Sequence, residues 1–308
     1  MNIPAILTEI ERQIKPLLSQ GKVADYIPAL AEIDQHQFGM AITLNTGEFF
    51  GVGAYQQPFS IQSISKVFSY TLALRAYLDE LYKRVGREPS GDPFNSLVQL
   101  EYENGIPRNP FINAGAIVVC DSLISHFAKH QSKASTQTLN FIRQCADDES
   151  IQFDHEVFKS EMENGYLNVA LANLMKSFGN IENDVNSVIS NYFQQCSIVM
   201  NCQQLSRAML YLTDHGSDPI SGREFISASQ AKRINSLMLT CGHYDASGDF
   251  AFRVGIPAKS GVGGGIVAVI PEKMSIAVYS PALNKNGNSL AGTKALELFT
   301  TMTGLSIF

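Results

Sequence analysis

Phe59-Ser60-Ile61-Gln62-Ser63-Ile64-Ser65-Lys66 is the stretch on which the reading of this 308-residue chain turns. It follows a strand-like run at 48–53 and opens a long helical one. Apolar positions Val67, Phe68, Leu72, Leu74 and Ala76 predict that this helix is buried on more than one face. Ser63 and Lys66 stand three apart, so on a first helical turn both side chains project from one face. A serine hydroxyl is a poor nucleophile until a base takes its proton. A lysine amine can be that base once its pKa falls from roughly 10.4 to about 7–8. The shift amounts to about 4 kcal/mol, which burial and neighbouring positive charge have to supply. On its own, Ser-x-x-Lys is more often a plain helix start, so the pair needs partners from elsewhere in the chain.

Outward from this stretch, residues 38–44 and 48–53 read as strands joined by the turn residues Asn45-Thr46-Gly47. Extended alternation returns at 250–254, 266–270 and 275–279, the last two connected across Pro271-Glu272-Lys273-Met274. Helical spacing occupies 117–124, 138–146, 169–178, 185–196, 203–212 and 228–238, with further helices at 1–20 and 292–302. From 85 to 115 the chain is punctuated by Pro89-Ser90-Gly91, Asp92-Pro93-Phe94 and Asn104-Gly105-Ile106-Pro107-Arg108-Asn109-Pro110. A connection this long is usually functional when ordered. Strands at both ends with helices between predict an α+β fold: an antiparallel sheet from both chain ends, flanking helices and an inserted helical domain. The sheet part takes 1–66 and 245–308, the helical part 67–244, and a cleft lies between them with Ser63 at the crossing.

Hydrophobic content of 45% and charged content of 17% exclude a disordered chain, and a net charge of −6 gives no reason to expect nucleic acid or an anionic membrane as partner. Residues 1–20 place Glu9, Glu11 and Arg12 among Ile3, Ile6, Ile10, Ile14 and Leu17. That is an amphipathic helix and not a signal peptide, and no run approaches a membrane span; the expected location is the cytoplasm. The five cysteines form no Cys-x-x-Cys pair and read as buried free thiols. His126 and His130 fall four apart but lack the glutamate of a zinc-protease helix, so neither metal nor cofactor is expected.

The partner element is Lys259-Ser260-Gly261-Val262-Gly263-Gly264-Gly265, just before the strand at 266–270. It is not a phosphate loop, because Arg253 and Ala258 stand where that motif needs glycine and the strand follows the glycines. It does fit the Lys-Thr-Gly type element that accompanies Ser-x-x-Lys in penicillin-binding proteins and β-lactamases, with Ser260 in the Thr position. There, glycines on an edge strand let substrate backbone approach. The N–H groups of Ser63 and Val262 would then form an oxyanion hole, each donor worth about 3 kcal/mol in the transition state. A Ser-x-Asn element is absent. Tyr102-Glu103-Asn104 and Tyr166-Leu167-Asn168 match Tyr-x-Asn only at near-chance level, which points away from cell-wall substrates.

Six segments taken together resemble the bacterial glutaminases. They are Gly21-Lys22-Val23-Ala24-Asp25-Tyr26-Ile27-Pro28, Ser63-Ile64-Ser65-Lys66, Glu88-Pro89-Ser90-Gly91, Asn109-Pro110-Phe111-Ile112-Asn113-Ala114-Gly115-Ala116, Asn191-Tyr192-Phe193 and Lys259 to Gly265. The resemblance implies a β-lactamase/transpeptidase-like fold and hydrolysis of L-glutamine to L-glutamate and ammonia without cofactor. It also implies a homotetramer. Residue by residue, it makes Ser63 the nucleophile and Lys66 its base. It makes Asn113, Glu161, Asn168, Tyr192, Tyr244 and the backbone of Val262 substrate contacts, and Tyr26 a loop tyrosine over the bound amino acid. These types suit the substrate: Glu161 offers a carboxylate to the ammonium, Asn168 and a tyrosine offer neutral donors to the α-carboxylate, and Tyr192 or Tyr244 can relay a proton to the leaving amine. Singly, Glu161 beside Glu163 reads as a solvated helix face, Asn113 as a helix cap, and each tyrosine as a core residue. Another serine amidase or esterase of this fold, or a non-catalytic amino-acid-binding protein, are the alternatives.

Overall fold

The structure is a computed structural model and describes residues 1–90, 96–129 and 131–308. Gly91, Asp92, Pro93, Phe94 and His130, all named above, lie outside the described residues. In chain order, α1 (Ile3–Ile14) is followed by the short α2 (Pro28–Ala31), then β1 (Gly39–Leu44), β2 (Phe49–Gly53) and β3 (Phe59–Ser60), which leads into α3 (Ser65–Tyr77). Helices α4 (Leu97–Tyr102), α5 (Asn113–Ala128) and α6 (Ala134–Ala146) precede β4 (Gln152–Phe153). Next come α7 (His155–Asn164), α8 (Tyr166–Ser177), α9 (Val185–Cys196), β5 (Ile198–Met200), α10 (Cys202–Ala208), α11 (Ala228–Cys241) and α12 (Ser247–Arg253). The chain closes with β6 (Ala258–Ser260), β7 (Gly265–Ile270), β8 (Met274–Tyr279) and α13 (Leu290–Thr303).

The strands from the two ends of the chain form one antiparallel sheet in the order β2-β1-β8-β7-β6. Its central register sets Ile42 opposite Ile276 and Val267 opposite Ala277. Alternate residues then serve two cores. Met40, Ile42, Ile266, Ala268, Ile276 and Val278 pack with Ile3, Leu7, Ile10 and Ile14 of α1 and with Leu296 and Phe299 of α13. Ala41, Val267, Val269, Ala277 and Tyr279 face the other way into the helical mass around α3, α5 and α9. Each aliphatic side chain buried this completely contributes about 1.5–3 kcal/mol.

Two expectations are corrected. Residues 250–254 are not extended but belong largely to α12. The alternation of Phe250 and Phe252 imitates a strand, yet Phe252 is 91% exposed, while Phe250 and Val254, four apart, are buried together on one helical face. Ser63 does not sit in an α-helical first turn. It lies in a 3-10 turn, Gln62–Ile64, and α3 begins only at Ser65. A second sheet, β3-β5-β4, was not legible because its strands are only two or three residues long.

Candidate active site

β3 delivers the chain to the site. Phe59 and Ser60 pair with Met200 and Val199, and the N–H of Ile61 donates to the Ile198 carbonyl at 2.9 Å. The backbone then turns sharply through Gln62 at φ +48°. A left-handed non-glycine residue costs of order 1–3 kcal/mol and persists only where its surroundings fix it. Here the Gln62 amide donates to Ser60 Oγ at 3.2 Å and bonds the Glu161 carboxyl. The glycine-rich turn between β6 and β7 lies directly on this segment. A Cβ on Gly261 would sit 2.5 Å from the Ile61 carbonyl oxygen, and one on Gly263 2.2 Å from that of Ser60. β6 is indeed the edge strand, but what the glycines admit is the chain's own 60–63 backbone, and this places Val262 beside Ser63.

Lys66, one residue into α3, is fully buried. Its Nζ donates to Asn113 Oδ1 at 2.7 Å and to the Phe111 carbonyl at 3.2 Å, and lies 5.9 Å from the centroid of the Tyr192 ring. No carboxylate forms an ion pair with it among the described residues. Burial pulls its pKa down to about 8, against the pull of Cys196 and Glu161. Asn113 is the first residue of α5 and does not cap it. Asn109 Oδ1 takes the N–H groups of Phe111 and Ile112 and so fixes the backbone leading into Asn113, whose amide donates to Asn168 Oδ1 at 2.9 Å. A relay Lys66–Asn113–Asn168 thus runs along one wall.

Opposite stands Glu161 on α7, a helix started by Asp154 Oδ1 accepting from the N–H groups of Glu156 and Val157. Glu161 is buried, not solvated, and burial pushes its pKa up to about 7 against the pull of Gln62 and Lys66. Tyr192 on α9 is buried with its hydroxyl against Cys196, and burial raises it well above the ordinary tyrosine range. Tyr244 follows α11 at φ +50°. Burial raises its hydroxyl to about 12, while hydrogen bonds to Ser63, to Ser260 and to the backbone of Val262 act the other way. Tyr26 is 62% exposed and stands at the mouth.

Eight of the nine expected residues line one cavity of about 50 Å³; Lys66 lies buried behind it. It opens past Tyr26, Glu161 and Asn168 into a vestibule of about 390 Å³ whose rim carries Lys285 and Asn286. A separate, wider cavity of about 310 Å³ lies behind Tyr244 against Phe111, Leu239 and Cys241, and contains none of the Lys66–Asn113–Asn168 relay. Among the described residues, no group of three or more His, Cys, Asp or Glu side chains is placed to hold a metal ion.

The family model described as Glutaminase matches residues 21–308. The chain belongs to the glutaminase family. It is 62% identical over 308 residues to a glutaminase of Aliarcobacter butzleri (strain RM4018), covering 100% of both chains. Among solved structures it is similar to a probable glutaminase from Bacillus subtilis complexed with 6-diazo-5-oxo-L-norleucine. There the TM-score is 0.90 and the identity 31%, over 100% of this chain and 98% of that one. It is also similar to Mglu in its glutamate form, with TM-score 0.93 and 31% identity over 100% of this chain and 70% of that one. The α+β architecture is therefore the β-lactamase-like fold of the glutaminases.

Three site features escaped the sequence. Gln62 matters through a positive φ, which no residue type outside glycine announces. Cys196 lines the candidate-site cavity beside Tyr192, whereas the sequence offered only a buried thiol. Asn109 acts by holding the backbone that leads into Asn113, a role its Asn-Pro context could have suggested.

Proposed function

We propose that this glutaminase-family amidohydrolase cleaves the side-chain amide of L-glutamine through a Ser63 acyl-enzyme. The observation that carries the reading is a fully buried lysine with no ion-pair partner among the described residues, one turn after a serine that lines the cavity, with its pKa brought down to about 8. A neutral Lys66 amine takes the Ser63 proton as Oγ attacks the amide carbon. The oxyanion forms against the N–H groups of Ser63 and Val262, an arrangement worth about 3 kcal/mol per donor. The C–N bond then breaks, and ammonia departs with a proton delivered by Tyr244, whose hydroxyl lies close enough to Ser63 for the serine to lower its pKa. Lys66 reprotonates Tyr244. Water attacks the resulting ester, and glutamate leaves.

Substrate recognition follows from the walls. The α-ammonium pairs with Glu161, whose buried carboxyl has no ion-pair partner of its own among the described residues. Asn113, Asn168 and the Tyr192 hydroxyl receive the polar remainder, and Tyr26 covers the bound amino acid from the mouth. No helix among the described residues is long and apolar enough to cross a membrane, and all five cysteines are free and buried. The thiols favour a reducing compartment, so we place the reaction in the cytoplasm. A homotetramer is carried over from the family resemblance, and the split into a sheet part and an inserted helical part, residues 67–244, is our division of the chain. The deciding experiment is Ser63→Ala: coupled assays should find no ammonia from glutamine while the melting temperature stays within a few degrees. Measurable turnover in that variant would end the acyl-enzyme reading, and a panel including asparagine tests the substrate.

A further inference from the structure

Lys259 belongs to the element that paired with Ser63 in the sequence, yet no step of the proposed reaction uses it. Its side chain is completely buried. Nζ donates to the carbonyls of Gly242 at 3.1 Å and of Ser260 at 2.7 Å, and lies 4.6 Å from the centroid of the Tyr244 ring. The titratable groups around it are Lys66 of α3, Cys196 of α9, Cys241 at the end of α11, and His243 and Tyr244 of the following turn. None brings a negative charge at neutral pH: burial raises the thiols of Cys241 and Cys196 to about 11 and about 12 and keeps His243 neutral. An unpaired ammonium in such a place is strongly disfavoured. Burial, with Lys66 nearby, accordingly moves the Lys259 amine well below the usual lysine range, toward its neutral form. Two of its N–H bonds go to the two carbonyls.

The bond to Gly242 falls on a strained turn, and the bond to Ser260 stays within β6. Tyr244 is held at φ +50°, and Gly242 has no room for a side chain, since a Cβ would lie 1.8 Å from the Ala258 carbonyl oxygen. The Gly242 carbonyl also accepts from Ser260 N at 3.1 Å. From the far side Asn288 Nδ2 donates to the His243 carbonyl at 3.2 Å, while its Oδ1 accepts from Ser260 Oγ at 2.6 Å. The turn that presents Tyr244 is therefore fixed from β6 and from Asn288, with the Lys259 amine seated against the aromatic ring.

We propose that Lys259 is a positioning residue: its buried amine locks the Gly242-His243-Tyr244 turn so that the Tyr244 hydroxyl stays on Ser63 and on the N–H of Val262. It acts through Tyr244 and touches no substrate, and the inference rests on the proton-delivery role given to Tyr244 above.

A double-mutant cycle tests it on the full chain. Lys259→Met keeps the length of the side chain without the N–H groups. It and Tyr244→Phe should each lower kcat for glutamine by about 100-fold, the low end of what a proton-transfer group contributes. The double variant should fall no more than about threefold below Tyr244→Phe, because residues acting as one unit do not add. L-glutamate affinity by calorimetry should stay within about threefold of wild type in Lys259→Met, since Glu161 and Asn168 are untouched, whereas general damage would lower both. If Lys259→Met does not fold, Asn288→Ala loosens the same turn from its other side and enters the same cycle. Losses that multiply in either double variant overturn the proposal. So does a Lys259→Met enzyme at wild-type kcat beside an impaired Tyr244→Phe, which leaves the reaction scheme standing. Wild-type kcat in Tyr244→Phe overturns the proposal and the proton-delivery role together.

Discussion

Two buried ionic regions, one around Asp121 and one around Lys66 and Glu161, are built on opposite plans. At Asp121 everything is satisfied. The carboxylate is paired with the Arg84 guanidinium and accepts from the N–H groups of Glu182 and Asn183 at 3.1 and 2.9 Å and from the Asn183 amide at 2.8 Å. Arg84 spends its remaining donors on Ser122 Oγ and the Asn180 carbonyl. Burial pushes the Asp121 carboxyl up, but these donors outweigh it and hold it below the usual range. At Lys66 and Glu161 the charges are left without ion-pair partners among the described residues, and burial drives each toward its neutral form, to about 8 and about 7. The first arrangement holds helices together. The second stores an imbalance that an incoming amino acid, with its own ammonium and carboxylate, can relieve. Incomplete satisfaction of buried charge is what separates the candidate functional region from the structural one.

Substitutions can break this contrast, beginning where the effect is largest. Lys66→Met should lower kcat for glutamine by about 10⁴-fold, near 5.4 kcal/mol of barrier, while stability to urea stays level or rises. In the wild type the base must be neutral, so kcat/KM should climb with pH and level off above about 8. A flat profile between pH 6 and 9 would remove Lys66 from that role. Asp121→Ala should do the reverse. It should lose about 3–5 kcal/mol in denaturant titrations, because the Arg84 guanidinium and the N–H groups of Glu182 and Asn183 lose their buried acceptor and Arg84 keeps only the more distant Glu182 at 3.6 Å, while the folded fraction keeps its kcat. Glu161→Gln comes next. The folded pKa of Glu161, about 7, lies above its ordinary 4.5, so its favourable contribution is complete below pH 4.5 and disappears as pH rises through 7. The glutamine variant should therefore match wild type in stability at pH 4 and exceed it by about 2–3 kcal/mol at pH 8, while KM for glutamine rises at least about tenfold. Equal stability at both pH values would show that Glu161 is solvated. Glu297→Gln, removing an exposed-rim carboxylate shared by Arg253 and Lys294, should change stability by no more than about 0.5 kcal/mol.

The elements proposed to carry catalysis stood out in the sequence because they depend on residue types at fixed spacing. Ser63 with Lys66, and the run from Lys259 to Gly265, carry their chemistry in the side chains or in the lack of one. The antiparallel sheet was legible too, since β1, β7 and β8 are long and apolar. What stayed hidden depends on the backbone or on distant packing. The strained φ of Gln62 has no local marker, and α7 offers only Val157, Ser160 and Glu161 as buried positions, too few for a helical period to show. Glu161 therefore read as solvated when taken alone. The misassigned 250–254 segment failed for the converse reason: a period of two was present, but one of its phenylalanines faces solvent.

The sheet order has a consequence for biosynthesis. β1 finds its partner in β8, with Ile42 beside Ile276, and the Val262 amide reaches Ser63 only when that pairing brings β6 and β7 alongside. Roughly 200 residues separate the proposed nucleophile from the proposed oxyanion donor, about 10–40 s of translation at ordinary rates of 5–20 residues per second. On the proposed mechanism, the nascent chain holds its serine and lysine throughout that interval without the Val262 N–H that would stabilise the tetrahedral adduct. A ribosome-bound or prematurely terminated product would then be chemically silent, and an interrupted message would waste polypeptide without consuming glutamine.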